Sequence, residues 1–187
     1  MTTLKIHNIE TAPEASKPFL EQSLKTNGMI PGLHGLLSGA PGLIEAYQTI
    51  HKLFTESSFN AEELTVVWQS INVEHACHYC VPAHTGIAKM MKVDDAITAA
   101  LRNETPLEDE KLEALRTMTL TIVRNRGHVT PEQLDAFYEA GYGERHVLEI
   151  ILGLSQKVIS NYTNHIANTP VDRPFQKFAW SKEAAAV

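Results

Sequence analysis

The sequence has few cysteines, few aromatic residues, no excess of positive charge and no apolar run of bilayer length. Most of these shortages exclude a class of protein. Two cysteines are too few to brace a small secreted scaffold, so a close pair of them points to redox or metal chemistry. No stretch approaches the roughly 20 consecutive apolar residues that cross a membrane. The opening MTTLKIHNIETAPEAS has no apolar segment behind a basic start, and the chain is therefore expected to act in the cytoplasm, with no membrane partner. Sixteen Lys plus Arg against 22 Asp plus Glu leave a net charge of -6, the wrong sign for a surface that tracks phosphates. Nucleic acid is not expected as a partner. Low-complexity tracts and repeats of fixed period are also missing.

What is present is a chain of 187 residues, 43% hydrophobic, enough to bury one proper core. The apolar spacing is helical from end to end. Asn60 and Glu63 have the spacing of a capping box, so a helix is expected from Ala61 with Leu64, Val67 and Ile71 on one face. Asp94 is placed to cap DAITAALRN. A helix through Leu112, Leu115, Met118 and Ile122 is expected to stop at Gly127. Thr130, Pro131 and Gln133 announce the next one. A last helix carries Val147, Ile150, Leu154, Val158 and Ile159 and ends near Pro170. No alternation of β-branched residues competes, and the fold class is all-α.

Every thiol in the chain lies in VEHACHYCVPAHTG, residues 73–86, beside three histidines. Pro82 lacks an amide hydrogen and clashes with the carbonyl four residues back, so the helix through His84, Ile87 and Met91 should begin no earlier than about Tyr79. Cys80 then sits in the first turn, where free amides and the positive end of the helix dipole favour a thiolate. His84 is four residues on and shares that face, within reach of the sulfur as base, acid or cation. Cys77 is close enough in sequence to close a small disulfide ring. Glu74 either feeds protons to the pair or merely finishes the preceding helix. Glu63 serves the capping box. His75, His78, His146, Asn161 and His165 read as solvated, helix-end or satisfied polar residues, and Met90 and Met91 as packing. A structural zinc would use Cys77, Cys80 and His84 but normally needs a second cysteine pair, which the chain does not have.

CHYCVPAHT resembles the core of the carboxymuconolactone decarboxylase and AhpD-like alkylhydroperoxidase family, in which a C-x-x-C-x-x-x-H motif opens a helix. GMIPGLHGLLSGAPGLIEAY is similar to the entry segment of peroxidase-related members. The closing helices are similar over GHVTPEQLDAFYEAGYGERHVLEIILGLSQKVISNYTNHIANTP, so residues 28 to 174 are covered. The resemblance implies one AhpD-like helical bundle spanning 1–187, with residues 1–27 as an N-terminal arm and 175–187 as a C-terminal tail. It implies a peroxide-attacking Cys80, a resolving Cys77 and a relay histidine at His84, with no cofactor and no metal. It also implies a hydroperoxide substrate, a thioredoxin-like or lipoyl-bearing dithiol reductant, and a homo-oligomer, trimer or hexamer. Two relay positions depart from the family pattern. The upstream glutamate falls on Thr65 and the histidine before the second cysteine is Tyr79, which leaves Glu74 as the nearest substitute carboxylate. The alternatives are a lactone decarboxylase, which does not use the cysteine pair, and a zinc-stabilised binding module.

Overall fold

A computed structural model of the chain describes residues 4–182. Nine α-helices form among them: α1 (Lys17–Asn27), α2 (Gly32–Leu37), α3 (Pro41–Thr55), α4 (Ala61–Glu74), α5 (Cys80–Met90), α6 (Asp95–Arg102), α7 (Glu110–Arg124), α8 (Pro131–Glu139) and α9 (Glu144–Ala167). Short 3-10 turns at Glu14–Ser16 and Arg173–Phe178 complete the described chain, and no strand forms among these residues.

Three helix starts are set by the residues read from the sequence, while α7, expected to stop at Gly127, already ends at Arg124 with Asn125 as its C-cap. Asn60 accepts from the amides of Glu62 and Glu63, and the Glu63 carboxylate takes the Asn60 amide at 2.9 Å. Asp94 caps α6 through the Ala96 amide at 2.8 Å, and Thr130 with Gln133 closes the box of α8. α9 stops at Asn168, whose φ of 46° lies in the left-handed region.

Helix α4 is the centre of the molecule. Every residue from Glu63 to Val73 is buried, because α5, α6, α7 and α9 all pack around it. One core, around Phe54, Trp68, Ile71, Leu115 and Ile150, fills the space between α4, α7 and α9. A second core, with Leu20, Leu33, Ile44 and Tyr47, joins the N-terminal helices to the start of α5 and contains both cysteines. Within the segment 1–27, expected as an arm, α1 thus contributes Leu20 to the second core.

The turn at 173–178 lies across α5. A Cβ on Gly86 would sit 2.5 Å from the Phe175 ring, so the missing side chain is what allows this approach. Of the segment 175–187, expected as a C-terminal tail, residues 183–187 lie outside the described residues. No helix among the described residues is long and apolar enough to cross a membrane.

Candidate active site

Between the two cores runs a polar layer. The most deeply buried positions of α9 are Ile150, Gly153, Gln156, Lys157, Ser160, Asn161 and Asn164, recurring at three- and four-residue intervals on one face. Of the apolar positions that give this helix its spacing, only Ile150 is fully buried, while Val147, Leu154, Val158 and Ile159 are partly exposed. Gln69 and Asn72 of α4 face the same layer, with Cys80 and His84 of α5.

Cys80 is the first residue of α5 and Tyr79 is its N-cap, so the sulfur stands in the first turn. Both cysteines are free and buried. The Cys80 amide donates to the Cys77 sulfur at 3.3 Å, and the Asn164 side-chain amide donates to the Cys80 sulfur at 3.3 Å. Burial alone would raise the Cys80 thiol. A hydrogen bond from the Cys77 thiol, the positive charge of Lys157 and the amides of Asn164 and Asn161 outweigh it and bring the group down to about 6. Cys77 moves the opposite way: its proton is held by the hydrogen bond to Cys80 and by burial, and its thiol is pushed far up. At neutral pH the pair is a thiolate at Cys80 beside a thiol at Cys77.

His84 is buried one turn along α5, with its ring 4.8 Å from that of Trp68. Its Nε2 meets the amino group of Lys157. An ammonium has only hydrogens to offer, so Nε2 is the bare nitrogen and the ring proton sits on Nδ1. That Nδ1 is buried without a hydrogen-bond partner. Burial first, and the charge on Lys157 second, hold the imidazole well below its usual range. His84 is therefore a neutral ring, and the cation near the thiolate is Lys157.

Lys157 is wholly buried, with its amino nitrogen 5.5 Å above the Trp68 ring. Burial lowers it to about 8, against the pull of the two sulfurs. A row of rings continues outwards from this point. Trp68 stacks on His51 at 5.8 Å, His51 on Tyr47 at 6.3 Å, and Tyr47 meets His34 edge-on at 5.5 Å. Gln156 joins the row by accepting from Trp68 Nε1 at 2.8 Å and donating to His51 Nδ1 at 2.9 Å.

The remaining candidates fall elsewhere. Glu74 is the last residue of α4, and both its oxygens are taken by Arg124 of α7, at 3.0 and 2.7 Å. That bidentate pair holds its carboxyl below the usual range and ionised, despite partial burial. Thr65 donates to the Ala61 carbonyl at 2.8 Å and can supply no base. Tyr79 donates to Asp172 and accepts from the Leu33 amide, and burial pushes its phenol up, so it stays neutral. His78 donates to the Thr169 carbonyl and His75 meets Asn161, each at 2.9 Å. Among the described residues no three His, Cys, Asp or Glu side chains converge as ligands for a metal ion. The donor set that a structural zinc would need does not form.

No protein-family model matches the sequence, and no curated protein is significantly similar to it. Solved structures are similar in fold. A peroxidase-related protein from Ralstonia eutropha JMP134, described as an alkylhydroperoxidase AhpD core, superposes with a TM-score of 0.79 at 14% identity over 91% of this chain and 92% of that one. A peroxidase-related protein from Silicibacter sp. TM1040 gives 0.73 at 13% identity over 92% and 93%. A cysteine-to-alanine variant of the debrominase Bmp8 in complex with 2,3,4-tribromopyrrole gives 0.71 at 17% identity over 99% and 96%. The chain has the AhpD-like helical fold, with its C-x-x-C pair at the start of α5.

Proposed function

We propose that this chain of AhpD-like fold is a thiol-dependent hydroperoxide reductase. The observation that carries the reading is the geometry of the cysteine pair at the head of α5: both thiols are free, the Cys80 amide donates to the Cys77 sulfur and the Asn164 amide donates to the Cys80 sulfur, an arrangement that favours a thiolate at Cys80. The Cys80 thiolate attacks the outer peroxide oxygen, the O–O bond breaks, and an alkoxide leaves that must acquire one proton. The resulting sulfenic acid condenses with the Cys77 thiol, forming the disulfide and releasing water. A thioredoxin-like or lipoyl-bearing dithiol protein restores the pair by exchange. His84, held against Lys157, is a neutral hydrogen-bonding group in this scheme. Glu74 takes no part, since both its oxygens are engaged by Arg124.

Self-association belongs to the same proposal. Leu148, Ile151, Tyr162 and Ile166 form an exposed apolar stripe along α9, on the side away from the polar layer, which supports a homo-oligomer.

The likeness to the debrominase brings one competing substrate class, a brominated pyrrole, for the same thiolate. The test is a thiol count before and after one equivalent of hydroperoxide, with tribromopyrrole offered in parallel. Loss of both thiols with a mass change of two hydrogens on hydroperoxide supports the reading; the same loss only with the halide transfers the function to dehalogenation. Turnover of a carboxymuconolactone by the Cys77→Ser, Cys80→Ser double variant would instead make the chain a decarboxylase.

A further inference from the structure

Lys157 is a cation sealed inside the protein with no carboxylate to balance it. It is fully buried, and none of the ion pairs among the described residues includes it. A buried ammonium without a counter-charge costs several kcal/mol, and a fold keeps one only where something compensates it. The groups around it can be enumerated helix by helix. α3 presents Tyr47 and His51, α4 the Trp68 ring, α5 His84 and Cys80, and the turn before α5 presents Cys77. His51, lowered to about 4 by burial, and His84 are neutral, as are Tyr47 and Cys77. The Cys80 thiolate is the one anion left.

The placement on α9 fits this. Asn164 reaches the Cys80 sulfur, Asn161 lies one turn before it, and Lys157 lies one turn before Asn161, against the His84 ring that follows Cys80 by one turn of α5. His84 Nε2 accepts from the amine but takes no proton from it.

Building on the thiol-peroxidase reading, we infer that Lys157 is the ion-pair partner of the Cys80 thiolate and the proton donor to the oxygen that leaves. The step balances. Thiolate, ammonium and hydroperoxide become sulfenic acid, neutral amine and alcohol: an S–O bond forms, the O–O bond breaks, and the lysine proton ends on the alkoxide. In the second step the neutral amine takes the Cys77 proton and returns it to the departing hydroxide, giving disulfide and water. Once the disulfide has removed the anion, only the Trp68 face and the His84 lone pair remain against the ammonium, no charge balances it, and Lys157 stays neutral until reduction restores the thiolate. The redox state of the pair and the protonation of one lysine are thereby locked together.

The ion pair is tested without peroxide and the proton donation with it. Thiolate absorbance near 240 nm is titrated for the parent, Lys157→Met and Lys157→Arg proteins. The parent midpoint is expected near 6, as burial offset by the Cys77 hydrogen bond and the lysine charge places it. Lys157→Met should move the midpoint into the ordinary thiol range of about 8.5. Lys157→Arg should keep it low, because the charge remains, while slowing hydroperoxide reduction by roughly 10²-fold or more, because a guanidinium gives up no proton. A Lys157→Met midpoint still near the parent value overturns the ion pair, and an arginine variant as fast as the parent overturns the proton donation.

If neither variant folds, the parent answers alone. Its pair is oxidised with diamide in weakly buffered solution at pH 7, with a pH-indicator dye present. Loss of thiolate absorbance with uptake of less than half a proton per disulfide is expected, since Lys157 supplies the other. Uptake close to one proton, or no thiolate absorbance to lose, overturns the inference. A pair that shows the ion-pair behaviour with diamide yet ignores hydroperoxide would leave the ion pair standing and remove the proposed substrate, and with it the proton donation to its leaving oxygen.

Discussion

Asn164→Ala isolates one hydrogen bond to the reactive sulfur. The Asn164 amide donates to Cys80 at 3.3 Å, while its own carbonyl oxygen is buried with no partner, so the side chain has one polar duty in the fold. A hydrogen bond to a charged acceptor contributes about 1.5–3 kcal/mol, and about 1.4 kcal/mol corresponds to one pH unit, so losing it should raise the Cys80 midpoint by about one to two units. From a starting point of about 6, where the Cys77 thiol and Lys157 outweigh burial, the variant should titrate between roughly 7 and 8. The sign follows: a raised thiol leaves less thiolate on the acid side and the same amount on the alkaline side. At pH 6.5 the thiolate fraction falls from about three quarters to between about one quarter and one thirtieth, and single-turnover hydroperoxide reduction should slow roughly 3- to 25-fold. At pH 9 both proteins are fully ionised and their rates should converge within about twofold. Stopped-flow rates at the two pH values, with thermal unfolding to confirm that the variant is folded, make the measurement. Equal slowing at both would show that Asn164 acts through packing and not through the thiolate, and no slowing at pH 6.5 would refute the hydrogen bond's role altogether.

Glu74→Gln should leave hydroperoxide reduction within about twofold of the parent and lower stability by only about 0–1 kcal/mol, the usual contribution of an exposed ion pair such as Glu74–Arg124; a loss of tenfold or more in rate would return Glu74 to the proton path. Gly153→Ala tests the packing that brings the polar face of α9 inwards. A Cβ there would sit 2.7 Å from the Phe54 ring and 3.1 Å from Val67, between α3 and α4. Overpacking of this kind costs about 1–3 kcal/mol, more than the gain of about 1 kcal/mol in helix propensity, so the midpoint of thermal unfolding should fall. An unchanged or raised midpoint would mean that α9 can move away from α4 without penalty.

How much of this was legible in the sequence depended on whether the signal was local. Asn60 with Glu63, Asp94, and Thr130 with Gln133 announced helix starts because a cap needs only its own first turn. Cys80 at the head of α5 followed from Pro82 in the same way. The face of α9 could not be read so simply. Its apolar residues gave the helical spacing, and Val147, Leu154 and Ile159 do pack on the edges of the cores, yet Gln156, Lys157, Asn161 and Asn164 are the fully buried ones, because they meet a polar layer contributed by α4 and α5. A lysine in an amphipathic helix normally marks the solvent side. The available signal was the spacing itself: Ile150, Gly153, Lys157, Asn161 and Asn164 fall on one stripe, and Leu148, Ile151, Tyr162 and Ile166 fall on the other side. The fate of Glu74 was equally hidden, since its partner Arg124 lies 50 residues away in the chain.

In the proposed reaction Cys80 is the nucleophile and Cys77 the resolving thiol, and one experiment separates these roles. The assignment is tested most directly by treating the Cys77→Ser and Cys80→Ser proteins each with one equivalent of hydroperoxide and locating the added oxygen by peptide mass. The Cys77→Ser protein should gain one oxygen on Cys80 and stop there as a sulfenic acid, because no thiol remains to displace it. The Cys80→Ser protein should gain none on the same time scale, since the Cys77 thiol is buried, which disfavours its ionising even without Cys80, and lies before α5 rather than in its first turn. Oxygen found on Cys77 in the Cys80→Ser protein, with Cys80 unoxidised in the other, would reverse the assignment.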